Sequence, residues 1–298
     1  MVSYQERLNE LLKKLGVPEK GEEKRDDSLE YFYQIRRSNE EPVKKVLKYD
    51  FTDQEAVMNH GLVLVPITDV HLGSKHCNVP YFKSFVEYIL NVPHCYTILN
   101  GDLAETATKT SVGRGHFEED MNLPDQLKTL KEILKPLAEA GKILGMGPGN
   151  HEERVANMIG INPMEMLAEK LEVPYFGYQG FFYFKLGDIV YSMVVHHGAG
   201  GGGTIGSKAN AAEKMNKVCA NADVYFSGHT HAKMYHPDKI YVFDNEGNLV
   251  SKIRHYVVGG SFVEYWDAYP EMKALPPSIT GLTRIEFRPE AKDVRVTV

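Results

Sequence analysis

From Gly61 onward the chain alternates short apolar runs with longer stretches of amphipathic spacing. "GLVLVPITDVH", "CYTILNGD", "KILGMGPGNHE", "IVYSMVVHHG" and "DVYFSGHTH" are five runs of strand length, and each closes on polar residues. Between them, segments such as "NLPDQLKTLKEILKPLAEAG" and "NPMEMLAEKLEV" repeat apolar residues at three- and four-residue intervals, which predicts helices. Strands alternating with helices indicate an α/β fold, in which ligands gather beyond the carboxyl ends of the strands. The last third changes character. "KIYVFDNEGNLVSKIRHYVVGG" predicts a hairpin turning at Glu246-Gly247-Asn248, and "LTRIEFRPEAKDVRVTV" predicts a second pair of strands. A second, mostly antiparallel sheet is therefore expected.

Residues 1–55 follow a different pattern. "YQERLNELLKKLGV" sets Leu8, Leu11, Leu12 and Leu15 on one helical face, and Gly16 with Pro18 stops it. "PEKGEEKRDD" is a solvated linker, and "SLEYFYQIRRSNEEPVKKVLKYDF" predicts a further helix and an extended piece. No chemistry stands out here. The expected division is an N-terminal helical appendage over 1–55, serving packing or homo-oligomerisation, and one domain over 56–298.

Composition narrows the class without naming a function. The 298 residues are 43% hydrophobic and 25% charged, which is ordinary for a globular protein. The net charge of −6 is spread along the chain, so no basic stripe advertises a nucleic-acid groove. The polar opening "MVSYQERLNE" is no signal peptide, and no apolar run approaches the ~18 residues of a membrane span. Three cysteines without a CxxC pair fit reduced thiols. A cytoplasmic protein with no membrane association is expected.

The chemistry lies at the strand ends. Asp69 and His71 close the first run, Asp102 the second, Asn150 and His151 the third, His196 and His197 the fourth, His229 and His231 the fifth. Residues two apart in an extended segment point the same way, so His229 and His231 converge. Neighbours point opposite ways, so one of His196 and His197 joins them. Turn chemistry accounts for one such ending, not for five in series. Carboxylates, an amide oxygen and imidazoles suit Mn, Fe, Ni or Zn. Seven ligands exceed what one ion takes, and fit two ions ~3.5–4 Å apart that clamp a phosphate.

In that order, "DVH", "GD", "GNHE", "HG" and "GHTH", over residues 61–231, resemble the five signatures of the calcineurin-like metallophosphoesterases, in a branch of phage and bacterial type. The resemblance implies a two-sheet αββα sandwich. It implies that Asp69, His71 and His231 hold a first metal, that Asp102 bridges both, and that Asn150, His197 and His229 hold the second. It selects His197 over His196 because the family's histidine directly precedes the glycine. His151 matches the family's non-ligand histidine, which contacts phosphate and protonates the leaving oxygen. The implied cofactors are two divalent ions, Mn first, with Fe, Zn or Ni as alternatives. The implied reaction is hydrolysis of a phosphate ester through a metal-bridging hydroxide. A phosphodiester of a nucleotide or single-stranded nucleic acid is the favoured substrate. The alternatives are a phosphomonoesterase or protein phosphatase, or a catalytically weak scaffold of the same fold.

Other features compete for attention. Gly198, Gly200 and Gly203 spell GxGxxG, with Asp223 twenty residues on. Asp223 opens its strand rather than closing it, so a dinucleotide site would have its acid at the wrong end of the sheet. The same run ends Gly-Ser-Lys, a transposed P-loop, and is better read as a backbone loop beside the metals. The long polar connection 105–122 carries Lys109, Arg114 and His116 as candidate substrate contacts. Arg154, three residues after His151, would hold a phosphate or a salt bridge. His60, His76, His94, His116, His236 and His255 have no partner spacing.

Overall fold

Strands covered on both faces read as continuous apolar runs, and alternation with a period of two shows where one face is open. The computed structural model describes residues 13–14, 46–108, 119–200, 204–266, 271, 274 and 277–298. The chain divides into two compact units, Met1–Lys44 and Lys45–Val298. Of the first, only Lys13 and Lys14 are described, both helical and exposed. The rest of the expected N-terminal helices lies outside the described residues.

In the second unit the order is β1 (Val46–Asp50), α1 (Glu55–His60), β2 (Leu62–Leu64), α2 (Val79–Asn91), β3 (Cys95–Asn100), α3 (Leu123–Glu139) and β4 (Ile143–Gly147). Then follow α4 (Asn150–Ile159), α5 (Pro163–Leu171), β5 (Gln179–Leu186), β6 (Ile189–His196), α6 (Ile205–Lys214) and β7 (Val224–Ser227). The chain closes with β8 (Met234–Phe243), β9 (Leu249–Val258), β10 (Arg284–Phe287) and β11 (Val294–Thr297). Asn78, Asn122 and Asn162 cap α2, α3 and α5 by accepting from Tyr81, Asp125 and Met164 N–H, each with a proline in the first turn. No helix among the described residues is long and apolar enough to cross a membrane.

The protein is mixed α/β with two mixed sheets. One runs β1-β5-β6-β7-β9-β8 and the other β11-β10-β2-β3-β4. The expected separate antiparallel sheet does not form. Instead β9 adds parallel to β7, bringing β8 with it, and β10 adds antiparallel to β2, bringing β11. The reason is burial. An isolated two-stranded hairpin is marginal, whereas the open edge of a parallel core offers it a face to cover. β1 pairs parallel with β5, so this sheet begins N-terminal to residue 56, the expected domain start.

Three clusters bury the apolar residues. One takes Leu62, Leu64, Ile98 and Phe287 from the five-stranded sheet and Phe184, Met193 and Phe226 from the six-stranded one. Val63, between Leu62 and Leu64, points the other way, into a cluster with Val86 of α2, Leu130 and Leu134 of α3 and Leu167 of α5. The third sets Val194, Tyr225 and Tyr256 against Ala212 of α6.

Candidate metal centre

The carboxyl ends of β2, β3 and β4 in one sheet and of β6 and β7 in the other carry the polar residues anticipated from the sequence. Three groups have side-chain ligand atoms within 4.8 Å of one another: Asp69 with His71 and His231, His71 with Asp102 and His151, and Asp102 with His197 and His229. Asn150 joins through its Oδ1, 2.7 Å from His229 Nδ1. Of the neighbours left open by alternation, His197 enters the cluster. Its Nδ1 donates to Asn100 O at 2.7 Å, which aims Nε2 inward. His196 instead accepts from Gly198 N through Nδ1.

Close packing of the loops makes this convergence possible. A Cβ on Gly149 would sit 2.1 Å from Asp102 Oδ1, and one on Gly228 would sit 2.1 Å from Thr68 Oγ1 and 2.5 Å from Asp69 Oδ2. Only glycine leaves that space. Glu152, fully buried, locks two loops together by accepting from Asp102 N, Ala104 N and Gly149 N at 2.9–3.0 Å. Asp102 Oδ1 accepts from His151 N at 2.8 Å, at the start of α4. Asp69 Oδ2 accepts from Thr68 Oγ1 and His229 N. Asp102 thus spends one oxygen on the fold and keeps the other for the cluster, whereas Asp69 Oδ1, which faces the cluster, also accepts from His229 N at 3.1 Å.

The remaining atoms are poorly matched as hydrogen-bond partners. Asp102 Oδ2 lies 3.1 Å from His197 Nε2, 3.8 Å from His71 Nε2 and 3.9 Å from His151 Nε2. Asp69 Oδ1 lies 3.4 Å from His231 Nε2 and 3.9 Å from those of His71 and His197. His197 Nε2 is buried and makes no hydrogen bond of normal geometry despite its short approach to Asp102. The Nε2 atoms of His71 and His231 face each other at 3.0 Å, where at most one proton fits between them. Atoms bound to one ion at about 2.0–2.2 Å sit about 3–3.5 Å apart, so these spacings fit a shared cation. The donor set of imidazole, carboxylate and amide oxygen fits a divalent transition ion. The buried His/Asp clusters are thus a candidate metal site.

Backbone conformation singles out the same residues. Asp69, His71, Asp102, His229 and His231 all have φ between 49° and 67°, the left-handed region. Asp and His tolerate it better than most residues, yet each instance still costs about 1 kcal/mol. Five of the eight non-glycine residues with positive φ among the described residues belong to this one cluster.

Electrostatics follow from burying two carboxylates among imidazoles. Burial disfavours the His197 cation, but Asp102 and Asp69 outweigh it and raise this group to about 10. Burial is likewise outweighed at His71, where Glu105, Asp102 and Asp69 raise the imidazole to about 9. At His151 burial prevails and pulls the group down to about 4. Burial opposes ionisation of Asp102, yet His197, His151 and His71 hold it well below the usual carboxylate range. The carboxylates demand positive charge and draw it as protons onto nitrogens for which a metal would compete.

Two residues of the site escaped the sequence reading. Glu105 Oε2 accepts from His71 Nδ1 at 2.9 Å, while its carbonyl accepts from His151 Nδ1 at 2.7 Å. It orients two histidines, and its only sequence signal is its place three residues after Asp102. Glu152 was visible inside "GNHE" but carried no assigned role. Of the candidate substrate contacts, Arg154 lies within α4 and its charge acts on both Glu105 and His151. Lys109, Arg114 and His116 lie outside the described residues, as does part of the glycine run.

No protein family matches the chain, and no curated protein does. Among solved structures, the fold is similar to the crystal structure of Chaetomium thermophilum Vps29 at 12% sequence identity. That match covers 80% of this chain and 95% of the other, with a TM-score of 0.32, and at that level it carries no inference about this chain.

Proposed function

We propose that this protein is a dinuclear metal-dependent phosphodiesterase of the calcineurin-like type, acting on nucleotide or nucleic-acid phosphodiesters. The observation that carries it is the convergence of four imidazole Nε2 atoms on one oxygen each of Asp69 and Asp102, at 3.1–3.9 Å. The core shared by two sheets, with helices packed on the other faces, supports the αββα sandwich that this type requires.

Asp69, His71 and His231 would hold one ion, and Asn150, His197 and His229 the other, with Asp102 common to both. Bound divalent ions supply Lewis acidity: they lower the pKa of water and neutralise phosphoryl charge. The chain's own residues do the rest. Asn100 O and Glu105 fix the tautomers of His197 and His71, so that each presents Nε2. His151 donates Nδ1–H to Glu105 O, which leaves Nε2 as the nitrogen available to substrate. Arg154 adds a fixed positive charge beside it. In the free protein His151 is neutral at pH 7, so its role as proton donor to the leaving oxygen requires the substrate's negative charge to raise it.

The deciding experiment is elemental analysis and hydrolysis of bis-p-nitrophenyl phosphate by purified protein. Activity that is abolished by chelation and restored by Mn²⁺, with two ions per chain, is expected. Failure to bind any transition ion would overturn the reading. His151→Ala should lose roughly 10²-fold or more on a dinucleotide, whose alkoxide leaves poorly, and far less on a nitrophenyl ester.

A further inference from the structure

The chain has one tryptophan, Trp266, and it is 73% exposed. Exposed aromatic side chains recur on this surface, Phe243 at 76% among them, but the place of this one is specific. Tyr265, half-buried, meets the indole edge-on, with ring centroids 5.2 Å apart and planes at 81°. The edge-to-face pairing supports the indole and leaves at least one of its faces to a planar partner.

The segment that presents the pair is pinned to the candidate metal centre. Phe262, fully buried, donates its N–H to Asp69 O at 3.1 Å and accepts from Asn78 N at 2.9 Å. Val263 bridges Cys77, and Glu264 N donates to His76 O at 2.9 Å. Asn78 Nδ2 donates to the Glu264 carboxylate at 3.0 Å. Residues 262–264 thus lie strand-like beside 76–78, which continue the loop bearing Asp69 and His71. Trp266 follows Phe262 by four residues, at most about 14 Å of chain. Two cations flank the same segment. Lys75 is exposed, one residue before His76. Lys233 is two residues beyond His231, and its stem packs so near Gly260 that a Cβ there would meet its Cγ at 2.8 Å.

We propose that Tyr265 and Trp266 form a stacking platform for a nucleobase of the substrate, beside the centre where its phosphodiester is cleaved. The proposal rests on the phosphodiesterase reading and narrows its substrate to base-bearing diesters. A planar base stacks on the indole, and Lys75 and Lys233 meet the backbone charge between platform and centre. Stacking tolerates any base, so binding is expected to depend on the presence of a base more than on its identity.

The sole indole is also the reporter. In chelator, where no turnover competes, the full-length protein is titrated with dithymidine phosphodiester, oligothymidylate and inorganic phosphate. Saturable quenching by the first two and none by phosphate is expected. Tighter binding of the longer strand identifies single-stranded nucleic acid as the source of the base, and equal binding identifies a dinucleotide. With Mn²⁺, Trp266→Ala should raise KM for the dinucleotide roughly tenfold with kcat little changed. It should leave hydrolysis of methyl p-nitrophenyl phosphate at the parent's rate, and Trp266→Phe should recover most of the loss. Hydrolysis without quenching, or an unchanged KM in Trp266→Ala, would overturn the platform and leave the phosphodiesterase standing. Quenching without hydrolysis of any ester would overturn the enzyme and leave a base-binding site. Emission that shifts with protein concentration instead would make Trp266 a contact between copies, which also overturns the platform.

Discussion

β7 is four residues long, and the polar groups at its two ends meet opposite circumstances. Before it stands Asp223, 3% exposed, with every partner in place: Ser192 N at 2.7 Å and Oγ at 3.0 Å, Lys292 Nζ at 2.9 Å and Lys252 Nζ at 3.0 Å. After it stand His229 and His231, grouped with carboxylates and other imidazoles whose spacings suit a cation better than a hydrogen bond. Burial alone does not separate a structural charge from a functional one. Satisfaction does. A buried charge with its partners complete holds the fold, and a buried cluster left mismatched awaits something else. Glu152 makes the point within the site itself, since it is buried among the ligands yet accepts three backbone N–H groups, as Asp223 accepts its own.

The largest effect is expected at Asp102. Asp102→Asn keeps the acceptor for His151 N and removes the charge that the two proposed ions would share. Diester hydrolysis should fall by roughly 10³-fold or more, with thermal unfolding near the parent's. Parent-like turnover in that variant would erase the distinction drawn at this end. Glu152→Gln should do the reverse first. It turns an amide donor toward backbone donors, so chemical denaturation should read a loss of about 3 kcal/mol. Metal affinity should drop about 10–100-fold as the Asp102 loop loosens. Asp223→Asn, at the far end, should cost about 2 kcal/mol in urea unfolding and leave turnover per folded molecule unchanged.

The smallest effect is a pH dependence. Burial pushes Asp223 up, but Lys292, Lys252 and the Ser192 N–H outweigh it, so the folded carboxyl lies below its ordinary 3.8. A depressed carboxyl adds stability above its unfolded pKa and loses it as pH falls through the folded value. The gap between parent and Asp223→Asn should therefore be constant above about pH 5 and shrink below about pH 4. Urea midpoints for both proteins across that range test it, and a gap that widens on acidification would contradict the assignment.

Much of this was legible in the chain because each inner strand is a short apolar run ended by Asp, Asn or His. What escaped depended on distance along the sequence. That Asp69, Asp102 and Asn150 come from one sheet while His197 and His229 come from the other is a matter of which strands pair, and no local pattern records it. The extended piece ending in "VLKYD" was legible, but its parallel pairing with β5, far along the chain, was not. Alternation left His196 and His197 open, and the carbonyl of Asn100, ninety-seven residues away, is what turns His197 inward. Glu105 and Glu152 looked like ordinary acidic residues until the loops closed on them.

The left-handed backbone at Asp69, His71, Asp102, His229 and His231 leaves a mark that selection can act on. Glycine adopts that conformation without strain, so at these positions it would relax the backbone, most plainly at His231, with 26% of its side chain accessible against 4% for His71. A descendant with no use for the cluster would drift toward glycine there, one substitution at a time, and gain stability as it did. Glycine at these five sites is thus the scar to look for in relatives that have abandoned the chemistry. This chain still carries Asp or His at all five.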